Sequence, residues 1–283
     1  MTEFDGLPVL RSPVAIAAFE GWNDAADAAT AAVEHLERVW QARPVAALDP
    51  EEFYDFQVNR PTIQVVDGDT RRIEWPTTRF AVASLDRLQR DVVLVRGIEP
   101  SIRWRAFCEQ ILEVCHSLEV NRVVLLGALL ADVPYSRPLP VTASASKRQA
   151  ATRYGLVPSR YEGPTGIVGV LHDACVRAEL DTVSFWAHVP HYANNPPCPK
   201  ATLALLHQIE EALDLPVPLG DLAEEAAEWE RRVHLAAEQD AELGEYVREL
   251  EERLGDADIQ PPSGDEIAEE FERYLRRRGG PTG

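Results

Sequence analysis

Short apolar runs recur through the first two thirds of the chain and predict the buried strands of a sheet. They lack alternating polar positions, which is typical of parallel strands that are covered on both faces. The strands predicted in this way span residues 14–19, 80–83, 92–95, 123–126 (ending at Gly127) and 183–189.

Segments with apolar residues three and four apart separate these runs and predict helices. The first helix is expected to start with Asn23 or Asp24 as its N-cap and to end near Trp40. The alternation of strands and helices predicts an α/β fold, with a mostly parallel or mixed sheet flanked by helices. The later helices are expected over residues 104–118, from Gly163-Pro164-Thr165-Gly166 to about residue 180, and over 200–213.

A different pattern lies between the first two apolar runs. Residues 62–66 and 71–75 form two arms rich in strand-forming residues, with Asp67-Gly68 between them. Asp-Gly is a favoured dipeptide for tight turns, so the segment predicts a β-hairpin.

The composition changes near residue 217, which predicts an α/β body over residues 1–217 and an acidic C-terminal helical hairpin over residues 218–283. This second segment holds nineteen acidic residues against eight arginines, a net charge of −11. Apolar residues spaced four and three apart predict one long helix from Leu222 to Leu254. Asp240 interrupts this apolar seam. It is expected to find an arginine or a polar backbone group, or to mark the point where the seam emerges into solvent. A second helix is expected from Ile267 to Arg277.

The charge balance narrows the classes of function. A net charge of −19 over 283 residues argues against a nucleic-acid binder and against binding to an anionic membrane, because phosphate contacts come mainly from Lys and Arg. No apolar run is long enough to cross a bilayer and residues 1–10 carry no secretory signal, so a cytoplasmic protein is expected. The four cysteines form no C-x-x-C pair and are expected to be buried free thiols.

Polar residues gather at the predicted carboxyl ends of the strands, where open α/β sheets bind their ligands. Trp22 is expected to form a partly buried lid or wall of a cleft there, and Arg96, Arg103 and Arg137 are possible anchors for an anion. Six residues are expected to surround that cleft, namely Glu20, Asn23, Asp24, Arg96, Glu99 and His191. The remaining candidates for ligand binding are Asp132, Tyr161, Thr165 and His188.

Simpler structural roles stay open for several of these candidates. Asn23 and Asp24 fit a helix cap, and Glu99 fits an ion pair with Arg103 one helical turn later. Gly163 and Gly166 fit a turn, and the two histidines fit ordinary hydrogen bonding. The shared position at one predicted edge of the sheet is what favours a binding site.

Known catalytic signatures are mostly absent from the sequence. Gly163-Pro164-Thr165-Gly166 lacks the Lys and the length of a phosphate-binding loop, and no G-x-G-x-x-G follows a strand. His188-x-x-His191 without a neighbouring carboxylate or Cys is a weak metal signal. We therefore expect no metal and no cofactor, and an enzyme is the less favoured alternative.

Five motifs in combination resemble the proteasome-assembly-chaperone-like family, in its actinobacterial branch. They are Phe19-Glu20-Gly21-Trp22-Asn23-Asp24-Ala25-Ala26, Leu94-Val95-Arg96-Gly97-Ile98-Glu99-Pro100, Leu126-Gly127-Ala128-Leu129-Leu130-Ala131-Asp132-Val133-Pro134, Tyr161-Glu162-Gly163-Pro164-Thr165-Gly166-Ile167 and Val189-Pro190-His191-Tyr192.

The resemblance implies a fold similar to nucleoside phosphorylases and a homo-oligomer, a trimer or higher. The alternative is a monomer whose tail seam is covered by its own body. It also implies a role in assembling other proteins, as family members do for the proteasome α-ring. Residues 278–283 depart from the hydrophobic–Tyr–any-residue ending of members that assist the proteasome, so the client stays open.

Two functions therefore compete. The first is a binding or assembly scaffold that uses an oligomeric body, an acidic helical tail and a protein client. The second is an enzyme or binder acting on a small nucleoside-like or anionic ligand at the strand-end cleft.

Overall fold

A seven-stranded mixed sheet forms the centre of the protein in a computed structural model, which describes residues 7–66, 70–145 and 162–255. The strands are β1 (Val14–Glu20), β2 (Arg43–Ala47), β3 (Thr62–Val66), β4 (Thr70–Glu74), β5 (Arg79–Leu85), β6 (Arg90–Ile98), β7 (Arg122–Ala131), β8 (Val141–Ala145) and β9 (Asp181–Pro190). The sheet order is β2-β5-β6-β1-β7-β9-β8, and β3 and β4 form a separate hairpin. The four inner strands, β6, β1, β7 and β9, are parallel to one another. β2, β5 and β8 pair with their neighbours in the antiparallel direction.

Helices cover both faces of the sheet in the described part of the chain. They are α1 (Ala28–Val39), α2 (Trp104–Ser117), α3 (Ile167–Arg177), α4 (Pro199–Leu213), α5 (Leu222–Gln239) and α6 (Ala241–Gly255). α1, α4, α5 and α6 share one hydrophobic core with the sheet, and α2 and α3 share the other. The predicted α/β class with a helix-flanked mixed sheet is therefore confirmed, and all four cysteines are free and buried as expected.

Two edge strands and one strand end were not predicted from the sequence. β2 and β8 are short and partly exposed, so they lack the continuous apolar runs that mark the inner strands. β7 continues past Gly127 to Ala131 and pairs with β9 along its whole length. A Cβ at Gly127 would lie 2.5 Å from the indole of Trp186.

The first helix begins later than predicted. Ala26 and Asp27 adopt left-handed φ angles of 52° and 57°, and α1 starts only at Ala28. Asp24 still acts as a cap, since its carboxylate accepts the N–H of Ala29 at 2.6 Å and the N–H of Thr30 at 3.0 Å. The predicted N-cap position is therefore wrong, because Asp27 and not Asn23 or Asp24 precedes the first residue of α1. The side chain of Asp24 nevertheless accepts the N–H groups that a capping residue would satisfy.

The predicted single helix from Leu222 to Leu254 is two helices that meet at Asp240. Asp240 has extended backbone angles, and its Oδ1 accepts the N–H groups of Glu242 at 3.0 Å and Leu243 at 3.2 Å. Capping the new helix satisfies this carboxylate with backbone groups, as the sequence led us to expect. The second tail helix predicted near Ile267 lies outside the described residues.

The apolar seam of the tail packs on the body. Leu222, Trp229 and Val247 are buried in the same core as α1 and the sheet, and Ala226 and Leu250 are buried as well. None of the described helices combines the length and hydropathy needed to span a membrane.

Candidate functional site

A cleft of about 340 Å³ opens at the carboxyl ends of β1 and β6, beside the start of α3. Its lining combines acidic, aromatic and small side chains from four loops. The lining residues are Glu20, Gly21, Trp22, Val58, Asn59, Ile98, Glu99, Pro100, Ser101, Trp104, Pro164, Thr165 and Gly166. The structure thus brings together four of the sequence candidates in one cleft, namely Glu20, Trp22, Glu99 and Thr165, with Trp22 as the half-buried wall that was predicted.

Glu99 holds the loops of this cleft together. Its Oε1 accepts a hydrogen bond from Asn23 Nδ2 at 2.7 Å and another from the N–H of Ile167 at 2.9 Å. Its own N–H donates to the carbonyl of Glu20 at 2.9 Å. One carboxylate therefore joins the ends of β1 and β6 to the first residue of α3. The ion pair of Glu99 with Arg103 that the sequence left open is not formed in the described structure.

Glycine lets the loops approach closely at two points of the cleft. Gly21 has a φ of 119°, a conformation that other residues rarely adopt. A Cβ on Gly166 would lie 2.2 Å from Asn23 Oδ1, so a larger residue would displace the Asn23 amide. Asn23 is 1% exposed, and its Oδ1 has no hydrogen-bond partner in the described part of the chain.

Carboxylates dominate the electrostatics of this edge of the sheet. Partial desolvation raises the pKa of Glu20 although the residue is exposed. Asp27 adds to this rise, whereas Arg96 opposes it. Burial raises the pKa of Asp24 to about 6, and hydrogen bonds from Thr30 and Ala29 limit that rise. Asp24 lies under α1 and does not line the cleft.

The three arginines proposed as anion anchors lie elsewhere and are engaged. Arg96 pairs with Glu37 at 3.0 Å on the α1 face of the sheet. Arg103 pairs with Glu52 at 3.1 Å. Arg137 donates to the carbonyl of a tail residue in α6 at 3.2 Å. The prediction that Arg96 lines the cleft is therefore wrong, because its side chain points to the opposite face of β6.

His191 and Asp132 form a second cluster at the ends of β9 and β7. His191 Nδ1 lies 3.1 Å from Asp132 Oδ1 but outside hydrogen-bond geometry. Its ring contacts those of Tyr192 and Tyr246 edge to face, at centroid distances of 5.5 and 5.4 Å. His191 thus helps to dock α6 and does not reach the cleft, contrary to the prediction.

His188 is buried beside the edge strand β8. Its Nε2 lies 3.2 Å from the hydroxyl of Thr142, and burial lowers its pKa to about 4. Tyr161 lies outside the described residues. The described residues contain no group of His, Cys, Asp and Glu arranged to hold a metal ion.

Sequence reasoning missed several cleft residues. The sequence places Trp104 only at the start of the helix predicted over residues 104–118, although it follows the Glu99 motif closely enough to suggest a role in the cleft. Val58 and Asn59 enter from the segment before the hairpin, which carries no sequence signal that links it to the strand ends.

The hairpin presents a second candidate surface. It is the sheet of two strands that the sequence predicted, and its predicted turn at Asp67-Gly68 lies outside the described residues. Its apolar side chains point to solvent, with exposed fractions of 64% for Ile63, 63% for Val65 and 54% for Ile73.

Comparison with known proteins assigns the chain to a family. The model of the PAC2 family matches residues 18–237, which begin within β1 and end within α5 and include the cleft loops. The chain belongs to the PAC2 family. Its members of known structure include a PAC2 family protein from Streptomyces avermitilis, with 53% identity and a TM-score of 0.79 over 83% of this chain and 99% of that one.

A second actinobacterial structure in the PAC2 family is a proteasome-assembly chaperone homologue from Mycobacterium tuberculosis. It shares 52% identity, with a TM-score of 0.76 over 83% of this chain and 99% of that one. A proteasome activator from Pyrococcus furiosus shares the fold at 17% identity, with a TM-score of 0.66 over 81% of this chain and 95% of that one. No curated protein matches the chain.

Proposed function

We propose that the chain is a protein-binding assembly scaffold that works as a cytoplasmic homo-oligomer, with a protein client. Relatives described as a proteasome-assembly chaperone homologue and a proteasome activator support a role in which one protein holds another. The observation that carries the proposal is the exposed apolar face of the β3–β4 hairpin.

The two faces of the hairpin differ in chemistry. Directly opposed residues of an antiparallel pair lie on the same face. Ile63 opposes Ile73, and Val65 opposes Arg71, which makes one face apolar with a single positive charge. The opposite face is formed by three polar or mixed pairs, Thr62 with Glu74, Gln64 with Arg72 and Val66 with Thr70.

A hairpin of this kind is unstable without a partner. Two strands alone are marginal in water, and an apolar face open to solvent favours association. A second copy of the chain suits this surface, because a net charge of −19 offers acidic residues to Arg71. A trimer is the simplest closed assembly that the family resemblance implies, and the division into a body over residues 1–217 and a tail remains part of the proposal.

Site-specific photo-crosslinking of the purified full chain tests the proposal. A benzophenone side chain at Val65 should give crosslinked oligomers, because this position lies on the apolar face. The same group at Gln64, on the other face, is the matched control and should give few. Equal crosslinking from both positions, or none from Val65, would contradict the proposed role of the hairpin.

A further inference from the structure

The cleft at the strand ends lacks a positive charge among the described residues that line it. Two of its side chains are carboxylates, Glu20 and Glu99, and two are indoles, Trp22 and Trp104. Among the described residues, the lining contains no Lys, Arg or His. Arg96 acts on Glu20 from outside the lining and is paired with Glu37, and Arg103 is paired with Glu52. An anionic ligand would meet repulsion here, whereas a cation would meet acceptors and aromatic rings.

We propose that this cleft binds a primary ammonium or guanidinium group on an aliphatic stem, presented as a Lys or Arg side chain by the protein client. This inference rests on the proposed scaffold function and names the chemistry that the client must offer. The carboxylates supply the charge, and the indoles supply walls for the stem and faces for the cation.

The cleft offers hydrogen-bond acceptors to a ligand. Glu99 Oε1 is already held by Asn23 and Ile167, which fixes the orientation of the carboxylate. Its Oε2 lies toward Gly21 on the wall of the cleft. Asn23 Oδ1 lies close to Gly166 and has no hydrogen-bond partner among the described residues, but Asn23 is buried and does not line the cleft. An ammonium group offers three donors to the carboxylates of Glu99 and Glu20, which line the cleft.

The aromatic walls and the rim fit an aliphatic stem that comes from another protein. The indole N–H of Trp104 donates to the carbonyl of Pro100 at 2.7 Å, so the orientation of this ring is fixed. Val58 lines the cleft and Ile102 follows Ser101 at its edge, and both are largely exposed. A volume of about 340 Å³ is at the small end for ligand sites and suits one side chain better than a nucleotide.

Fluorine NMR of the full chain labelled with 5-fluorotryptophan tests the proposal. Resonances are assigned with Trp22→Phe and Trp104→Phe. N-acetyl-lysine amide should shift the resonances of these two residues, while the uncharged N-acetyl-norleucine amide should shift them weakly. Glu20→Gln should weaken lysine binding about fivefold or more, since a charge-assisted contact is lost. Glu51→Gln, an exposed carboxylate outside the cleft, should leave it unchanged.

Two further arms separate the sources of the cation. A short lysine peptide should bind more tightly than n-butylammonium, because Val58 and Ile102 are available to its backbone. Preference for the free amine, equal shifts from the norleucine amide, or no shift from any amine would overturn the proposal. Sedimentation of the same samples measures the oligomeric state independently. Failure of the proposed cation binding can therefore be distinguished from failure of the proposed scaffold function.

Discussion

Asn23 Nδ2 donates a hydrogen bond of 2.7 Å to Glu99 Oε1, and this bond joins the loop after β1 to the end of β6. The two residues are 76 positions apart in the sequence. Because Glu99 also accepts the N–H of Ile167, three segments depend on one carboxylate oxygen. The shape of the cleft therefore follows from a contact that no local pattern in the sequence encodes.

Replacing Glu99 should test that dependence. Glu99→Ala leaves the buried Asn23 amide and the Ile167 N–H without their acceptor, and should lower the free energy of unfolding by about 1–3 kcal/mol. Glu99→Gln retains a carbonyl acceptor and should lower the free energy of unfolding by less than Glu99→Ala does. Urea unfolding followed by circular dichroism measures both, and equal losses would show that hydrogen bonding to Glu99 is not what holds the loops.

Gly166 should tolerate substitution less well than a neighbouring glycine. A Cβ at Gly166 meets the Asn23 amide, which Glu99 holds in place, so Gly166→Ala should destabilise by about 1–3 kcal/mol. At Gly169 the nearest atom is the hydroxyl of Thr165, which rotates away, so Gly169→Ala is a matched control inside α3. Thermal unfolding compares the two, and a larger loss for Gly169→Ala would refute this account.

His188 should make stability sensitive to acid. Its folded pKa of about 4 lies below its ordinary value of 6.5, so the stability that it contributes is present above pH 6.5 and is lost as the pH falls toward 4. Asp24 opposes this trend, since its raised pKa favours the protonated form at low pH. His188→Gln should therefore gain stability relative to the native chain by on the order of 2 kcal/mol between pH 7.5 and pH 4.5. A difference that stays constant with pH would contradict the burial of a neutral His188.

Trp229 should anchor the tail to the body. The residue is 3% exposed in the core shared with α4. Trp229→Ala should therefore lower the free energy of unfolding by about 3–5 kcal/mol. Leu235 lies on the same helix at 54% exposure, and Leu235→Ala should change stability by less than about 0.5 kcal/mol. A single unfolding transition is expected for the native chain, and a small effect of Trp229→Ala would mean that the tail is an independent appendage.

The inner strands were predictable because parallel strands covered on both faces leave continuous apolar runs. β1, β6, β7 and β9 carry such runs, whereas β2 and β8 are edge strands with one partner each and no comparable signal. The break at Asp240 was missed because the seam spacing continues across it, although the cost of burying Asp240 was already apparent.

The sequence predicted where the candidate cleft lies better than it predicted which residues line it. The rule that ligands bind at the carboxyl ends of strands led to the edge of the sheet where Glu20, Trp22 and Glu99 line the cleft. It does not say to which face of a strand a side chain points, so Arg96 was misplaced. His191 lies at the end of a more distant strand, where the tail that covers it sets its surroundings.

Sedimentation equilibrium of the purified full chain tests the central claim that the hairpin carries protein–protein contact. The native chain should sediment at a multiple of 31.5 kDa, and at three times that mass if the trimer is correct. Ile63→Thr with Ile73→Thr should shift it toward the monomer, whereas Gln64→Thr on the opposite face should not. A native chain that sediments at 31.5 kDa at micromolar concentration, or a double variant with unchanged mass, would contradict the account.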